Sequence, residues 1–215
     1  MAKTDNAGYI FEGYVILRQS GFSFLKMDIE KEILAVRSKE QVVKLVRWVG
    51  NDKMRFQQLM KYMIYGEDHL AKNSAWILGH SAELYPALAT PWLQAMIKIL
   101  QRRGVHDAVK RNVVRILQFV DIPHKFRGKV VNLCFEFISS LTEPIAVRTF
   151  SMSVLATIAL EEPILRKEFE IVVRQVFPYA TPAFRARAKK YLKNTEWDMP
   201  QINPQENWKM NIHGG

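Results

Sequence analysis

Apolar residues recur along most of this chain at three- and four-residue steps, the spacing of one face of an α-helix. The clearest stripes are Trp92, Met96, Ile99 and Leu100, and then Val109, Val113, Ile116, Leu117 and Val120. No segment alternates convincingly between apolar and polar residues, as a half-buried strand would. The pattern therefore predicts an all-α protein.

Capping residues mark where several of these helices begin. Thr90 and Thr181 each place a hydroxyl before a proline, which suits a first helical turn because proline lacks an N–H. Ser38 and Gln41 have the spacing of a capping box. We predict ten helices with short connections, over residues 28–36, 39–49, 52–64, 67–82, 91–103, 105–120, 123–140, 143–159, 163–177 and 182–194.

An internal repeat runs through these helices. Four segments open with a small or apolar residue followed by a base, and the bases are Lys72, Lys110, Arg148 and Arg185. Their separations are 38, 38 and 37 residues, a period typical of arrays of helical hairpins. We expect these bases to bond to carbonyls or acids of neighbouring turns, where Asp68 and Asp107 are available.

This arrangement resembles the HEAT/armadillo class of α-helical repeats. The best match is the segment 88–100, followed by a turn that contains Asp107 and by the helix that carries Val109 and Lys110. The resemblance covers about residues 51–194. It implies a right-handed α-solenoid of about four HEAT-like helical hairpins with helical caps.

The two ends of the chain depart from the repeat. We assign residues 27–194 to the solenoid, 1–26 to an irregular N-terminal extension and 195–215 to an irregular C-terminal tail. Met27 stands directly before an acidic helix start, so one hypothesis makes it the natural start of translation. The two tryptophans of the tail favour packing of that segment back onto the solenoid.

Composition narrows the class of protein further. Hydrophobic residues make up 48% of the 215 residues, which is enough for a substantial core. The single cysteine, Cys134, lies in an apolar helix and predicts a buried thiol; one cysteine excludes a disulfide scaffold and fits a reducing, cytoplasmic location. No apolar run approaches the roughly 18 residues of a membrane span, so we expect no membrane partner.

Charge is distributed unevenly along the chain. Lys and Arg number 31 against 21 Asp and Glu, a formal net charge of +10. Residues 98–129 hold nine bases and two acids, and residues 185–193 hold five bases and no acid. The intervening residues 143–177 are nearly neutral. The sequence thus predicts two basic patches.

Motifs for catalysis, metals or cofactors are missing. The chain contains no nucleophile elbow, phosphate-binding loop or dinucleotide fingerprint. None of its five histidines has a second histidine or Cys134 at helical spacing, and those near helix starts, His69, His106 and His124, are interpreted as caps or surface residues. The glycines Gly79, Gly104 and Gly128 are interpreted as helix punctuation. A lyase of the fumarase superfamily is not supported, because the fragment 150–153 lacks that family's Pro, Lys and Asn.

Second helices of HEAT-like repeats normally line the concave face, so a binding row can be predicted from the repeat alignment. The row comprises Asn73, Ile77, His80, Arg111, Arg115, Gln118, Thr149, Ser153, Ala156, Ala186, Lys190 and Lys193, with Trp76, Met152 and Lys189 at its edge. The partner-binding residues we predict from it are Arg111, Arg115, Gln118, Lys189, Lys190, Lys193, Trp76 and His80.

The row favours a non-enzymatic scaffold over an enzyme. A protein or an acidic peptide is the expected partner, and a nucleic-acid backbone is the alternative. DNA glycosylases built on HEAT-like repeats resemble this chain in architecture and use a carboxylate with aromatic residues in the cleft. Base excision is disfavoured because the row contains no Asp or Glu.

Overall fold

The computed structural model describes residues 28–192 and two short strands before them, Tyr9–Phe11 (β1) and Tyr14–Ile16 (β2). The strands pair antiparallel, with Tyr9 opposite Ile16. These six residues lie inside the predicted N-terminal extension, 1–26, whose assignment as a separate segment stays a prediction. Both runs consist of aromatic and β-branched residues, which favour extended backbone, and only two residues separate them, as in a hairpin.

Ten α-helices lie within residues 28–192, one in each predicted segment. They are α1 (Ile29–Leu34), α2 (Lys39–Val49), α3 (Lys53–Tyr65), α4 (Asp68–Leu84), α5 (Leu93–Gln101), α6 (Asp107–Leu117), α7 (His124–Ser139), α8 (Ile145–Ala159), α9 (Pro163–Val176) and α10 (Pro182–Leu192). The predicted capping box is present at Ser38 and Gln41. The predicted end of the last helix, 193–194, lies outside the described residues.

The helices stack in two layers. One layer runs from α4 through α6 and α8 to α10, and the other from α5 through α7 to α9. The hairpins are α3–α4, α5–α6 and α7–α8, and α9 and α10 follow in the same order and both pack against α8, while α1 and α2 pack against α4 at the N-terminal end. The predicted all-α solenoid of about four hairpins with helical caps is confirmed.

The core lies between the layers, and α8 is its most buried helix. From Val147 to Ala156 every residue is buried except Phe150, because α6, α7, α9 and α10 all contact this helix. On α7 the Cys134 side chain is buried, as predicted, and burial raises the pKa of its thiol to about 12. A thiol in this state is a packing group and not a nucleophile at neutral pH.

Close approach of α4 and α6 depends on Gly79. A Cβ at this position would lie 3.0 Å from Asn112 Oδ1 and 3.5 Å from Arg115 Cδ. Asn112 is itself held, because its Nδ2 donates to the carbonyl of Ala108 at 2.8 Å. The interpretation of Gly79 as punctuation is therefore wrong, since the residue lies inside α4 and lets α6 approach.

The other two glycines differ from each other. Gly104 has a φ of +74° between α5 and α6, a left-handed conformation that favours glycine at a helix end, as predicted. Gly128 lies inside α7, and a Cβ added there would have no neighbouring atom within 4 Å, so its interpretation as punctuation is also wrong.

We predict opposite effects for alanine at the two helical glycines. Gly79→Ala should lower the free energy of unfolding by about 1 kcal/mol, because the added methyl would lie 3.0 Å from Asn112 Oδ1 and the hydrogen-bonded Asn112 side chain must shift. Gly128→Ala should raise it by about 0.5–1 kcal/mol, because alanine favours the helix and meets nothing. Urea denaturation of both variants measures the difference; equal stabilisation by both would contradict the close approach at Gly79.

Candidate binding face

Five predicted row residues, together with Trp76 from the edge of the row, lie on two neighbouring helices or directly after them. We call these positions the central face, and it comprises Asn73, Trp76 and His80 on α4, Arg111 and Arg115 on α6, and Gln118 at the C-cap of α6. Arg111 is exposed and the other five are half-buried. Because α4 and α6 contact each other directly and Arg115 meets His80 across that contact, the face includes residues of two repeats.

Arg115 is the most constrained side chain of the central face. Its Nη2 donates to Glu83 Oε2 at 2.6 Å and lies 3.2 Å from His80 Nδ1. The Glu83 side chain is 7% exposed and that of Arg115 is 24% exposed. A charge-assisted hydrogen bond at this depth fixes the guanidinium in one orientation.

Glu83 is the residue that the predicted row missed. It lies three residues after His80 on α4, and its Oε2 is 3.8 Å from His80 Nδ1. One further helical step along the row would have reached it. The premise that no carboxylate lies along the row is therefore wrong. This carboxylate is buried and paired with Arg115, however, so it is not open to a base in the cleft.

His80 is neutral in this setting. Burial, followed by the charges of Arg115 and Lys39, lowers its pKa to about 3. Because the guanidinium can only donate, His80 Nδ1 accepts from Arg115 Nη2, which requires the neutral tautomer that carries its proton on Nε2. The cluster of Arg115, Glu83 and His80 therefore carries no net charge at pH 7.

Hydrogen bonds also fix the edges of the central face. Asn73 Nδ2 donates to the carbonyl of Ile33 at 2.8 Å and so ties α4 to the end of α1. Gln118 Nε2 donates to the Arg115 carbonyl at 3.2 Å. The Trp76 ring packs against the core with part of its surface exposed. The face is thus built on helices whose side chains have fixed partners.

The predicted row does not continue as an open surface along α8. Thr149, Ser153 and Ala156 are buried, and so is Ile77 on α4. The reason lies in α10, where Tyr191 OH and Arg187 Nη1 donate to Ser153 Oγ at 2.9 and 3.1 Å. The row positions on α8 that were predicted by alignment with α6 therefore lie in a packed interface and are not exposed to solvent.

The first basic patch is smaller than the sequence predicted. Three of the nine bases in residues 98–129 pair with acids from other repeats, each at 2.6 Å. The pairs are Lys110–Glu143, Arg115–Glu83 and Arg127–Glu161. These acids lie outside the sequence window, so the local charge count did not include them. On α10, Lys189 and Lys190 are exposed, and Lys193 lies outside the described residues.

The repeated base has a structural role in three of its four positions. Lys72 pairs with Asp68 at 3.6 Å, and Lys110 pairs with Glu143 rather than with the expected Asp107. Arg148 is buried, donates from Nε and Nη2 to the Ile138 carbonyl, and stacks over the Phe184 ring at 4.7 Å. Arg185 is exposed.

The histidines near helix starts either cap a helix or are exposed to solvent. His106 Nδ1 accepts from the Ala108 N–H at 3.1 Å and caps α6, while His69 and His124 are exposed near helix starts. Across the described residues, no group of three or more His, Cys, Asp or Glu is arranged to hold a metal ion. Nor does any helix within 28–192 have the length and apolar character to cross a membrane.

The fold and this face define an α-helical repeat protein. The sequence profile described as a HEAT repeat domain matches residues 29–195, most of the chain. The chain therefore belongs to the HEAT repeat family, whose arrays generally act as scaffolds for protein interactions. No curated protein and no solved structure showed significant similarity to it.

We predict that acid destabilises the protein through His80. Its pKa is lower in the folded chain than the usual 6.5, so stability is complete above about pH 6.5 and is lost as the pH falls toward 3. The free energy of unfolding should fall by about 1 kcal/mol per pH unit between pH 6 and 5 from this group.

Urea denaturation at a series of pH values measures this loss. His80→Gln should flatten the profile between pH 7 and 5, because glutamine takes up no proton. An unchanged slope in His80→Gln would show that other groups cause the acid sensitivity.

Proposed function

We propose that this protein is a non-enzymatic scaffold that holds a segment of a partner protein against the central face. Stacked helical hairpins give such a face rigidity without a closed cavity. Because these helices are already ordered, binding of the partner does not carry the free-energy cost of ordering this protein.

One observation carries the proposal. The central face combines the half-buried Trp76 with Arg111 and Arg115 on adjoining helices. Tryptophan and arginine are the residues most enriched at the energetic centres of protein interfaces. The surrounding hydrogen bonds of Asn73 and Gln118 keep the backbone of both helices in place.

Site-specific photo-crosslinking tests the proposal. A benzophenone side chain at Gln118, on the central face, should capture one or a few discrete proteins from the native lysate. The matched control carries the same group at Gln94, which is exposed on α5 in the other layer. We expect at least fivefold more capture from position 118; equal and diffuse labelling from both positions would refute a partner at the central face.

The exposed bases of α10 favour a second candidate, a nucleic-acid backbone. Arg185, Lys189 and Lys190 are exposed, and none makes an ion pair within the described residues. Cations of this kind bind phosphate by releasing counterions, whatever the base sequence.

Salt dependence tests this second candidate. Backbone binding through α10 predicts that the logarithm of duplex affinity falls with the logarithm of salt concentration, with a slope near −0.9 per phosphate contact. Lys189→Gln combined with Lys190→Gln should reduce the slope by about 2. Absence of duplex binding at about 50 mM salt would eliminate the candidate.

A further inference from the structure

We propose that Arg111 and Arg115 form a seat for a carboxylate side chain of the partner, so that the central face selects an acidic peptide segment. This inference rests on the proposed scaffold function and specifies the chemistry of its partner. It concerns the α4–α6 part of the face, where the two arginines are one helical turn apart.

Arg115 is preorganised to receive an anion. Glu83 and His80 both contact Nη2, and no partner of Nε or Nη1 lies among the described residues. The Arg115 side chain is 24% exposed, so part of it remains accessible from solvent. A guanidinium held in this way loses little conformational entropy when a carboxylate binds in the bidentate geometry that arginine favours.

Arg111 supplies a second positive charge that is not balanced locally. It is exposed, precedes Arg115 by four residues, and makes no ion pair within 28–192. Glu83 already neutralises Arg115, so Arg111 supplies the net positive charge that attracts a carboxylate, while Arg115 contributes N–H donors that Glu83 does not occupy.

The extent of the positive surface favours a peptide over a nucleic-acid backbone. Beyond α6 the row enters Thr149, Ser153 and Ala156, which are neutral and buried. The bases of α10 are therefore separated from Arg111 by the whole of α8. Two neighbouring arginines match one or two carboxylates, whereas a phosphate backbone needs a longer line of cations. Trp76, on the adjoining helix, offers contact to an apolar neighbour of the acidic residue.

Peptide binding by the full chain tests the seat. The probe is a fluorescein-labelled, capped octapeptide of alternating Glu and Ala, and its control is the same peptide with Gln in place of Glu. Fluorescence anisotropy at about 50 mM salt should show at least tenfold tighter binding of the Glu peptide.

Three variants locate the binding. Arg111→Gln should weaken binding of the Glu peptide about tenfold, and Arg115→Lys, which keeps the charge but not the planar fork, should weaken it about fivefold. The matched control Arg103→Gln removes an exposed charge at the α5–α6 turn and should change affinity less than twofold. Arg111 is exposed and unpaired within the described residues, so Arg111→Gln should leave the thermal midpoint unchanged.

Several outcomes would overturn the seat. Equal affinity for the Glu and Gln peptides would show that the carboxylates are not recognised. An equal loss of affinity in Arg103→Gln and Arg111→Gln would show that binding is not located at Arg111. Displacement of the labelled peptide by a thymidine dodecamer at a lower concentration than by unlabelled peptide would show that the surface prefers a nucleic-acid backbone. Capture of a protein from position 118 that persists in Arg111→Gln would retain the scaffold and reject the seat. Loss of position-specific capture would instead reject the scaffold itself.

Discussion

The ion pair between Arg115 and Glu83 joins two repeats where the binding face is centred. It bridges α4 and α6 at 2.6 Å and is largely shielded from water. Removing one partner of such a pair leaves a buried charge without compensation, which typically costs about 3–5 kcal/mol. Gly79 lies at the same contact of α4 with α6, where a Cβ would lie 3.0 Å from Asn112 Oδ1. The contact between the two helices thus includes one buried carboxylate and one glycine at a close approach.

Ion pairs between residues distant in the chain neutralise several bases of this protein. Acids on α4, before α8 and after α8 neutralise bases on α6 and α7, so the surface is less uniformly basic than a net charge of +10 implies. The exposed bases that remain, such as Arg111 and Lys190, are local features on separate helices. Binding by this face is consequently a matter of a few fixed donors rather than of a broad electrostatic field.

Sequence periodicity was sufficient to predict the helices because each one buries an apolar stripe and several carry recognisable caps, as at Ser38. The same periodicity placed Arg111 and Arg115 one turn apart on a single helix, and both lie on α6. It missed contacts between residues distant in the chain, since periodicity describes a single helix. Glu83 meets Arg115 across 32 residues, and α10 buries the side of α8 that carries Ser153. The β1–β2 hairpin was missed because its strands have three residues each, too few to establish alternation.

A double-mutant cycle on Arg115 and Glu83 tests most directly whether the central face depends on their interaction. Arg115→Met, Glu83→Gln and the double variant are compared with the natural chain by urea denaturation at pH 7. We expect each single change to destabilise the protein and the pair to show a coupling of about 1–3 kcal/mol. Additive effects, with a coupling below about 0.5 kcal/mol, would contradict an ion pair that holds α4, α6 and the central face together.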